Sequence, residues 1–329
     1  MFLPLTGGPD ALLVVLLAVA VDAALGDRGW FDRLVPSPGR GAARAAAWFD
    51  RRLNRIDRSD AVRAARGTLV TLAMAGAAVA LGLAAALAGR GLPLGWLLEL
   101  ALVVRCIGVR WPYARMQAVL DAASAGVEAG REAVAPMTRR QVWSLDLHGV
   151  VRAAVEAAAK ALDQRVVAPL FWYALAGLPG ILLWTTVDAL DGVIGHAGPR
   201  HARFGRAAAL ADDAMNWLPA RLTALLIAAA SLFVPRAHAG RALATAAREA
   251  GRHPARNTGW PLAAMAGALD LSLAGPRREG EMVVREPWLG AGRARALPKD
   301  LRPAMALFAV ACVLAVGLVA AAALLAAWL

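Results

Sequence analysis

The chain reads as an all-α, polytopic integral membrane protein with four to six membrane segments and amphipathic helical loops on the cytoplasmic side. Three observations carry this. Of 329 residues, 59% are apolar, more than a soluble globule of this length ordinarily holds. The apolar residues gather into six runs, 11–25, 67–89, 92–104, 166–187, 218–234 and 303–329, where a bilayer span needs about 20 residues. The 36 basic residues outnumber the 24 acidic ones, for a net charge of +12, and they concentrate between the runs.

The elements follow in order. The first run is short unless its Pro4–Gly8 flank is counted, and it ends at Asp27-Arg28 with no basic segment before it. It is expected to be an uncleaved first span. Runs two and six are long enough to cross. Run three is short and pairs with run two as a tight hairpin around Arg90-Gly91. Run four carries Pro169 and a Leu178-Pro179-Gly180 break, and run five begins at Leu218-Pro219. Residues 113–134, 148–165 and 236–252 carry Arg and Glu at helical spacing, the last ending at His253-Pro254. Residues 257–293 are rich in Gly, Pro and Trp and read as an ordered loop. With no strand alternation of consequence and no internal repeat, residues 1–329 are expected to form a single membrane domain.

Charge sets the sidedness. Residues 26–66 hold ten basic residues, 105–165 nine and 235–302 twelve, whereas 188–217 holds only Arg200, Arg203 and Arg206. If every run crosses, the three basic loops are cytoplasmic and 188–217 faces the other side. If runs four and five are re-entrant, which their prolines permit, 188–217 returns to the basic side. The basic residues are nearly all Arg, Lys160 and Lys299 being the exceptions, and no stripe interleaves them with aromatics. Membrane lipids are therefore the expected partner and nucleic acid is not. Cys106 and Cys312 are too few and too far apart for a disulfide framework or a zinc site.

Chemistry concentrates between runs four and five. Asp188 and Asp191 are three residues apart and share a helix face. Asp212, Asp213 and Asn216 form a second set of oxygens. Carboxylates beside a bilayer cost free energy unless paired, metal-bound or wet. Hard oxygens of this kind suit Mg²⁺ completed by substrate phosphates. They also suit a plainer reading, in which Asp188 and Asp191 cap a helix end and Asp212 pairs with Arg206 or Arg221. His196 and His201 flank a Gly-Pro pair and read as a solvated loop; His148, His238 and His253 read as structural. No phosphate-binding glycine loop precedes either lysine, and no Gly-x-Ser-x-Gly is present. Trp260 and Trp288 read as anchors at a membrane interface or against a flat ligand.

The runs VAPLFW (167–172), LDGVIGH (190–196), DDAMNWLPARLTALL (212–226), HPARNTGWPLAAMAGAL (253–269) and EPWLG (286–290) resemble the CobD/CbiB family. DAALGD (22–27) and WFDRRLNR (48–55) are similar to its N-terminal region. The likeness covers nearly the whole chain, in order. It implies an inner-membrane, multi-pass adenosylcobinamide-phosphate synthase of cobalamin biosynthesis. Such an enzyme uses ATP and Mg²⁺, with no bound prosthetic group, to join aminopropanol or its phosphate to adenosylcobyric acid. The resemblance implies a corrinoid substrate and association with other cobalamin-assembly enzymes of the membrane. Under it, Asp188, Asp191, Asp212 and Asp213 are the catalytic set, with Asp191 and Asp213 as Mg²⁺ ligands. Arg140 and Arg221 become phosphate partners, while Asn216, Asn257 and Trp260 shape the pocket.

The chain departs from the family pattern at Arg28, Ser37, Gln141, Val142, Lys160, Ala161, Gln164, Leu262 and 197–200. Lys160 replaces an acid and inverts the local charge. The departures leave two alternatives to the synthase. One is a catalytically degenerate paralogue that binds corrinoid or a partner enzyme. The other is a membrane regulatory protein on the same fold.

Overall fold

A computed structural model describes residues 11–24, 33, 35–92, 94–138, 140–196, 198, 200–279 and 282–328. The Pro4–Gly8 flank, the Leu25–Asp27 end of DAALGD with Arg28, Ala197 and Pro199 lie outside the described residues. The helices in order are α1 (Ala11–Ala24), α2 (Pro38–Leu53), α3 (Asp60–Gly91), α4 (Trp96–Cys106), α5 (Arg110–Ala125) and α6 (Val127–Val134). They continue with α7 (Leu147–Leu162), α8 (Ala168–Ile194), α9 (Arg206–Ala230), α10 (Ala239–Glu249), α11 (Gly259–Leu269) and α12 (Leu301–Trp328). Among the described residues, four strands of two or three residues, β1 (Leu273–Ala274), β2 (Arg277–Glu279), β3 (Met282–Val284) and β4 (Trp288–Leu289), pair antiparallel as β1 with β4 and β2 with β3. The fold is all-α, as the composition predicts.

Among the described residues, three helical runs are long and apolar enough to cross a membrane: Asp60–Gly89, Leu147–Ile194 and Pro298–Leu325. The helices 12–24 and 259–269 are apolar but shorter. Runs two and six of the sequence reading are thus full-length helices. Run four is the end of a longer run, because α7 leads through a π turn (Asp163–Val167) into α8. Run five does not start a helix at Leu218-Pro219. It is the second half of α9, which begins at Arg206 and continues through Pro219.

The chain divides into two compact units. The first comprises Met1–Ile107, Ala168–Asn216 and Leu318–Leu329; the second comprises Gly108–Val167 and Trp217–Gly317. In the first, α8 packs on α2, α3 and α4, and α1 packs on α4. Helix α2 starts at Ser37-Pro38, where the Ser37 hydroxyl accepts the Arg40 N–H at 3.4 Å and Pro38 occupies the first turn. Its Ala42, Ala45, Ala46, Phe49 and Leu53 pack on a core of Val70, Met74, Leu190, Ile194, Phe204 and Ala208. Helix α8 bends at Ala176-Gly177, just before the Leu178-Pro179 break anticipated from sequence. Buried Tyr173 donates its hydroxyl to Glu99 at 2.6 Å, which partners a carboxyl among apolar helices.

The second unit is built on α7, whose residues are mostly buried and which packs against α5, α6 and α11. The helical stretch read over 113–134 is two helices, because Gly126 adopts φ +149° between α5 and α6. Asp146 caps α7 by accepting the Gly149 N–H at 2.7 Å. The expected loop over 257–293 instead contains α11, all eleven of whose residues but Trp260 are buried. GWPLAAMAGAL is apolar on every face, and Pro261 sits in the first helical turn, where a missing N–H costs nothing. Helix α11 packs on α10 and α7 and ends at Asp270 in the left-handed region.

Candidate active site

The acidic residues lie on helices, because α8 runs on to Ile194 and α9 starts at Arg206. Asp188 and Asp191 occupy the last turns of α8 and are half-buried. Asp212 and Asp213 occupy the second turn of α9, the first half-buried and the second exposed. All four belong to the first unit, as does buried Asn216.

A relay of hydrogen bonds sets Asp212. The indole N–H of Trp184, which is 3% exposed, donates to Asn216 Oδ1 at 3.0 Å. With its carbonyl so held, the Asn216 amide donates to Asp212 Oδ1 at 2.8 Å and to the Asp212 carbonyl at 3.1 Å. Trp172 donates to the Met215 carbonyl at 3.2 Å, a second tie from α8 to α9. The sequence reading overlooked Trp184, although it stands four residues before Asp188 and on the same helical face. Of the two plainer roles for Asp212, pairing with Arg206 or with Arg221, neither occurs; its partner is Asn216.

Burial raises the Asp212 carboxyl most, and the negative charges of Asp188 and Asp191 raise it further, to about 8. Asp213 adds to the rise and the Asn216 hydrogen bond opposes it. Asp212 therefore holds a proton at neutral pH because a third charge, partly buried beside two others, is costly. Among the described residues, no group of three or more His, Cys, Asp or Glu is placed to hold a metal ion by itself. The donor set fits the mode Mg²⁺ uses with phosphates, in which one or two carboxylates suffice.

The basic and aromatic candidates fall in the second unit. Arg140 is committed: its guanidinium forms an ion pair with Glu156, the two side chains being 9% and 5% exposed. Glu156 also accepts the Ala274 N–H at 2.9 Å, so the pair holds β1 against α7. Arg221 lies between two indoles, 4.1 Å from the Trp217 ring centroid and 4.6 Å from that of Trp260. It also donates to the Trp217 carbonyl at 2.6 Å. Arg221 is thus held by cation–π contact with both indoles. Trp217 entered the sequence reading only within the DDAMNWLPARLTALL run and without a role, though its i, i+4 spacing to Arg221 signals the contact. Asn257 precedes α11 and is half-buried; its carbonyl accepts the Trp260 N–H at 3.1 Å. Trp288 is 41% exposed, with Arg152 over its ring at 5.4 Å.

The departures from the family pattern have local roles. Ser37 caps α2, Gln141 precedes a short 3₁₀ turn at Val142–Ser144, and Ala161 and Leu262 are buried. Lys160 is half-buried on α7. Among the histidines, His148 Nδ1 meets the Ala296 carbonyl at 2.8 Å and His253 is buried 3.9 Å from Glu286. His201 lies 3.2 Å from Asp50, so it is tied to α2 and is not a solvated loop residue.

Comparison with known proteins agrees with this picture. The family model described as CobD/Cbib protein matches residues 15–308. A protein named Cobalamin biosynthesis protein CobD from Sinorhizobium sp is 41% identical over 95% of this chain and 98% of its own. Proteins of the same name from Rhizobium meliloti (strain 1021) and Rhodobacter capsulatus are 39% and 38% identical; the matches cover 96% and 90% of this chain and 98% and 92% of theirs. No solved structure matches. With a family model and full-length relatives both matched across the two units, the chain belongs to the CobD/CbiB family of cobalamin biosynthesis proteins.

Proposed function

We propose that this protein joins the amine of aminopropanol, or of its phosphate, to a carboxylate of adenosylcobyric acid at the expense of ATP, as a multi-pass protein of the inner membrane. The observation that carries the reading is the Trp184–Asn216–Asp212 relay beside Asp188 and Asp191. Amide formation needs the carboxylate activated. Its oxygen attacks the γ-phosphorus of ATP, ADP leaves, and an acyl phosphate remains. The amine nitrogen then attacks the carbonyl carbon, the carbon–nitrogen bond forms and phosphate departs. An aliphatic amine arrives as an ammonium ion, which must lose a proton first. A carboxylate cluster attracts that cation, and the ionised fraction of a carboxyl raised to about 8, which grows as pH rises above neutrality, is a base strong enough to take its proton. Asp188 and Asp191 orient the amine in line with the acyl carbon.

Mg²⁺ would be held by Asp191 and Asp213 together with substrate phosphates, and it would neutralise charge on the transferring phosphoryl group. Arg221, held by Trp217 and Trp260, offers its guanidinium to a phosphate or to a corrinoid carboxamide. Asn257 and the exposed indole faces suit a large flat macrocycle. The basic loops meet anionic lipid headgroups, and other membrane enzymes of cobalamin assembly are the expected neighbours.

Two observations favour a second reading, a corrinoid-binding protein without turnover. Arg140, which the resemblance makes a phosphate partner, is paired with Glu156, and Lys160 stands where the family pattern has an acid. A single assay separates the two. Membranes containing the protein are given adenosylcobyric acid, Mg-ATP and either acceptor, and corrinoid mass is followed. Product at the mass of adenosylcobinamide or its phosphate supports the synthase and identifies the acceptor. No product beside an active homologue overturns it.

A further inference from the structure

The WFDRRLNR motif of α2 has no part in the chemistry above, yet it converges on the connector between α8 and α9. Asp50 accepts from the Asn54 amide at 2.8 Å and from the Arg200 guanidinium at 2.9 Å, and His201 Nε2 lies 3.2 Å away. Asn54 also donates to the Arg200 carbonyl at 3.0 Å. Arg63 at the start of α3 donates to Asn54 Oδ1 at 3.1 Å and to the same Arg200 carbonyl at 2.5 Å. Asp50, Asn54 and Arg63 are all less than 9% exposed. Burial alone would raise the Asp50 carboxyl; the hydrogen bonds of Asn54, Arg200 and His201 overcome it and hold the group below its ordinary range.

The end of the connector, residues 200–205, is closely seated. Phe204 is fully buried. A Cβ on Gly205 would fall 1.6 Å from the Ile194 carbonyl oxygen, and one on Gly67 would fall 1.8 Å from that of Phe204. The connector therefore touches both α8 and α3 backbone to backbone, and no other residue fits at either glycine. Asp191 lies about one helical turn before this junction. Asp212 lies seven residues beyond Gly205, about 10 Å along α9 at 1.5 Å per residue. A rotation of about 10° at the junction moves Asp212 by about 2 Å, and errors of about 1 Å at a reacting centre cost on the order of a hundredfold in rate. An apolar plug would hold the helices as firmly. What a polar set adds is direction.

We infer that Asp50, Asn54, Arg63, Arg200 and His201 form a latch that positions the Asp188/Asp191 pair against the Asp212/Asp213 pair. The latch residues are positioning residues, and the inference rests on the reading that the carboxylate pairs act on substrate. Arg203, paired with Asp60 at 3.0 Å with both side chains more than half exposed, stands outside it and serves as the control.

The test uses the full chain in lipid nanodiscs, with Cys106 and Cys312 replaced and nitroxide labels introduced at Gly192 and Leu210, both exposed. Wild type and Arg203→Gln are expected to give one narrow interlabel distance. Asp50→Ala and Arg200→Ala are expected to broaden it by several ångström and to lower kcat tenfold or more, with KM for Mg-ATP within twofold. An unchanged distance in folded Asp50→Ala overturns the inference, as does a broadened distance with unchanged kcat. If Asp50→Ala does not fold, Arg200→Ala, whose side chain is 49% exposed, decides in the same way. A wild type that forms no product overturns the synthase reading, whereas the distance measurement still decides the latch.

Discussion

Replacing Asp212 with Asn removes a carboxyl while keeping its shape and its capacity to accept from Asn216. In the folded protein this carboxyl is raised from 3.8 to about 8, by burial first and by Asp188 and Asp191 next. Between those two values the folded chain holds a proton that the unfolded chain has lost. Stability therefore falls as pH rises through the interval, and the loss is complete above about pH 8. About four units at ~1.4 kcal/mol each set a ceiling near 6 kcal/mol. Asp212 is half-buried, so water and mobile ions reduce this to roughly 1–3 kcal/mol. The Asn variant lacks the slope. Thermal unfolding of purified protein, with chelator present, is to be followed from about pH 6 to about pH 9. The variant is expected to gain about 1 kcal/mol on wild type across that range, about 2 °C or more for a chain of this size. The gain is expected to level off above about pH 8. Added Mg²⁺ is expected to flatten the wild-type curve, because a cation beside the cluster lowers Asp212. A stability difference that stays constant across the range refutes the account of the cluster.

Three further outcomes are expected. Asp191→Asn and Asp213→Asn abolish product formation in the corrinoid mass assay while membrane insertion persists; near wild-type product from both removes the assigned metal role. Trp184→Phe retains the buried ring but leaves Asn216 without its donor. Turnover then falls about tenfold and stability by about 1 kcal/mol, read by product rate and by unfolding midpoint. Glu156→Gln leaves the Arg140 charge buried without its counter-ion. It costs about 3 kcal/mol, measured as a fall in the unfolding midpoint at constant pH, and an unchanged midpoint contradicts the buried pair.

The apolar runs, the basic loops and the motif order were legible from sequence because they depend on composition and on local spacing. A bilayer span is set by length and hydropathy, and i, i+3 or i, i+4 neighbours meet on any helix. Hence the all-α class, the bend near Leu178-Pro179, the end of α10 before His253-Pro254, and the shared faces of Asp188 with Asp191 and of Asp212 with Asn216 follow from residues alone. Other features depend on partners distant in the chain. Whether GWPLAAMAGAL is loop or helix turned on what surrounds it: α10 and α7 cover its apolar faces and supply the burial that offsets its glycines and proline. Arg140 looked free for phosphate until Glu156, sixteen residues on, neutralised it. Asp50 in α2 and Asn54 just after it, unremarkable in sequence, find their partners in Arg200 and His201, about 150 residues later. Long-range charge and hydrogen-bond pairing has no sequence period to read, since it is settled only when helices pack. That packing also buries Asp212 beside Asp188 and Asp191 and so raises its carboxyl to about 8.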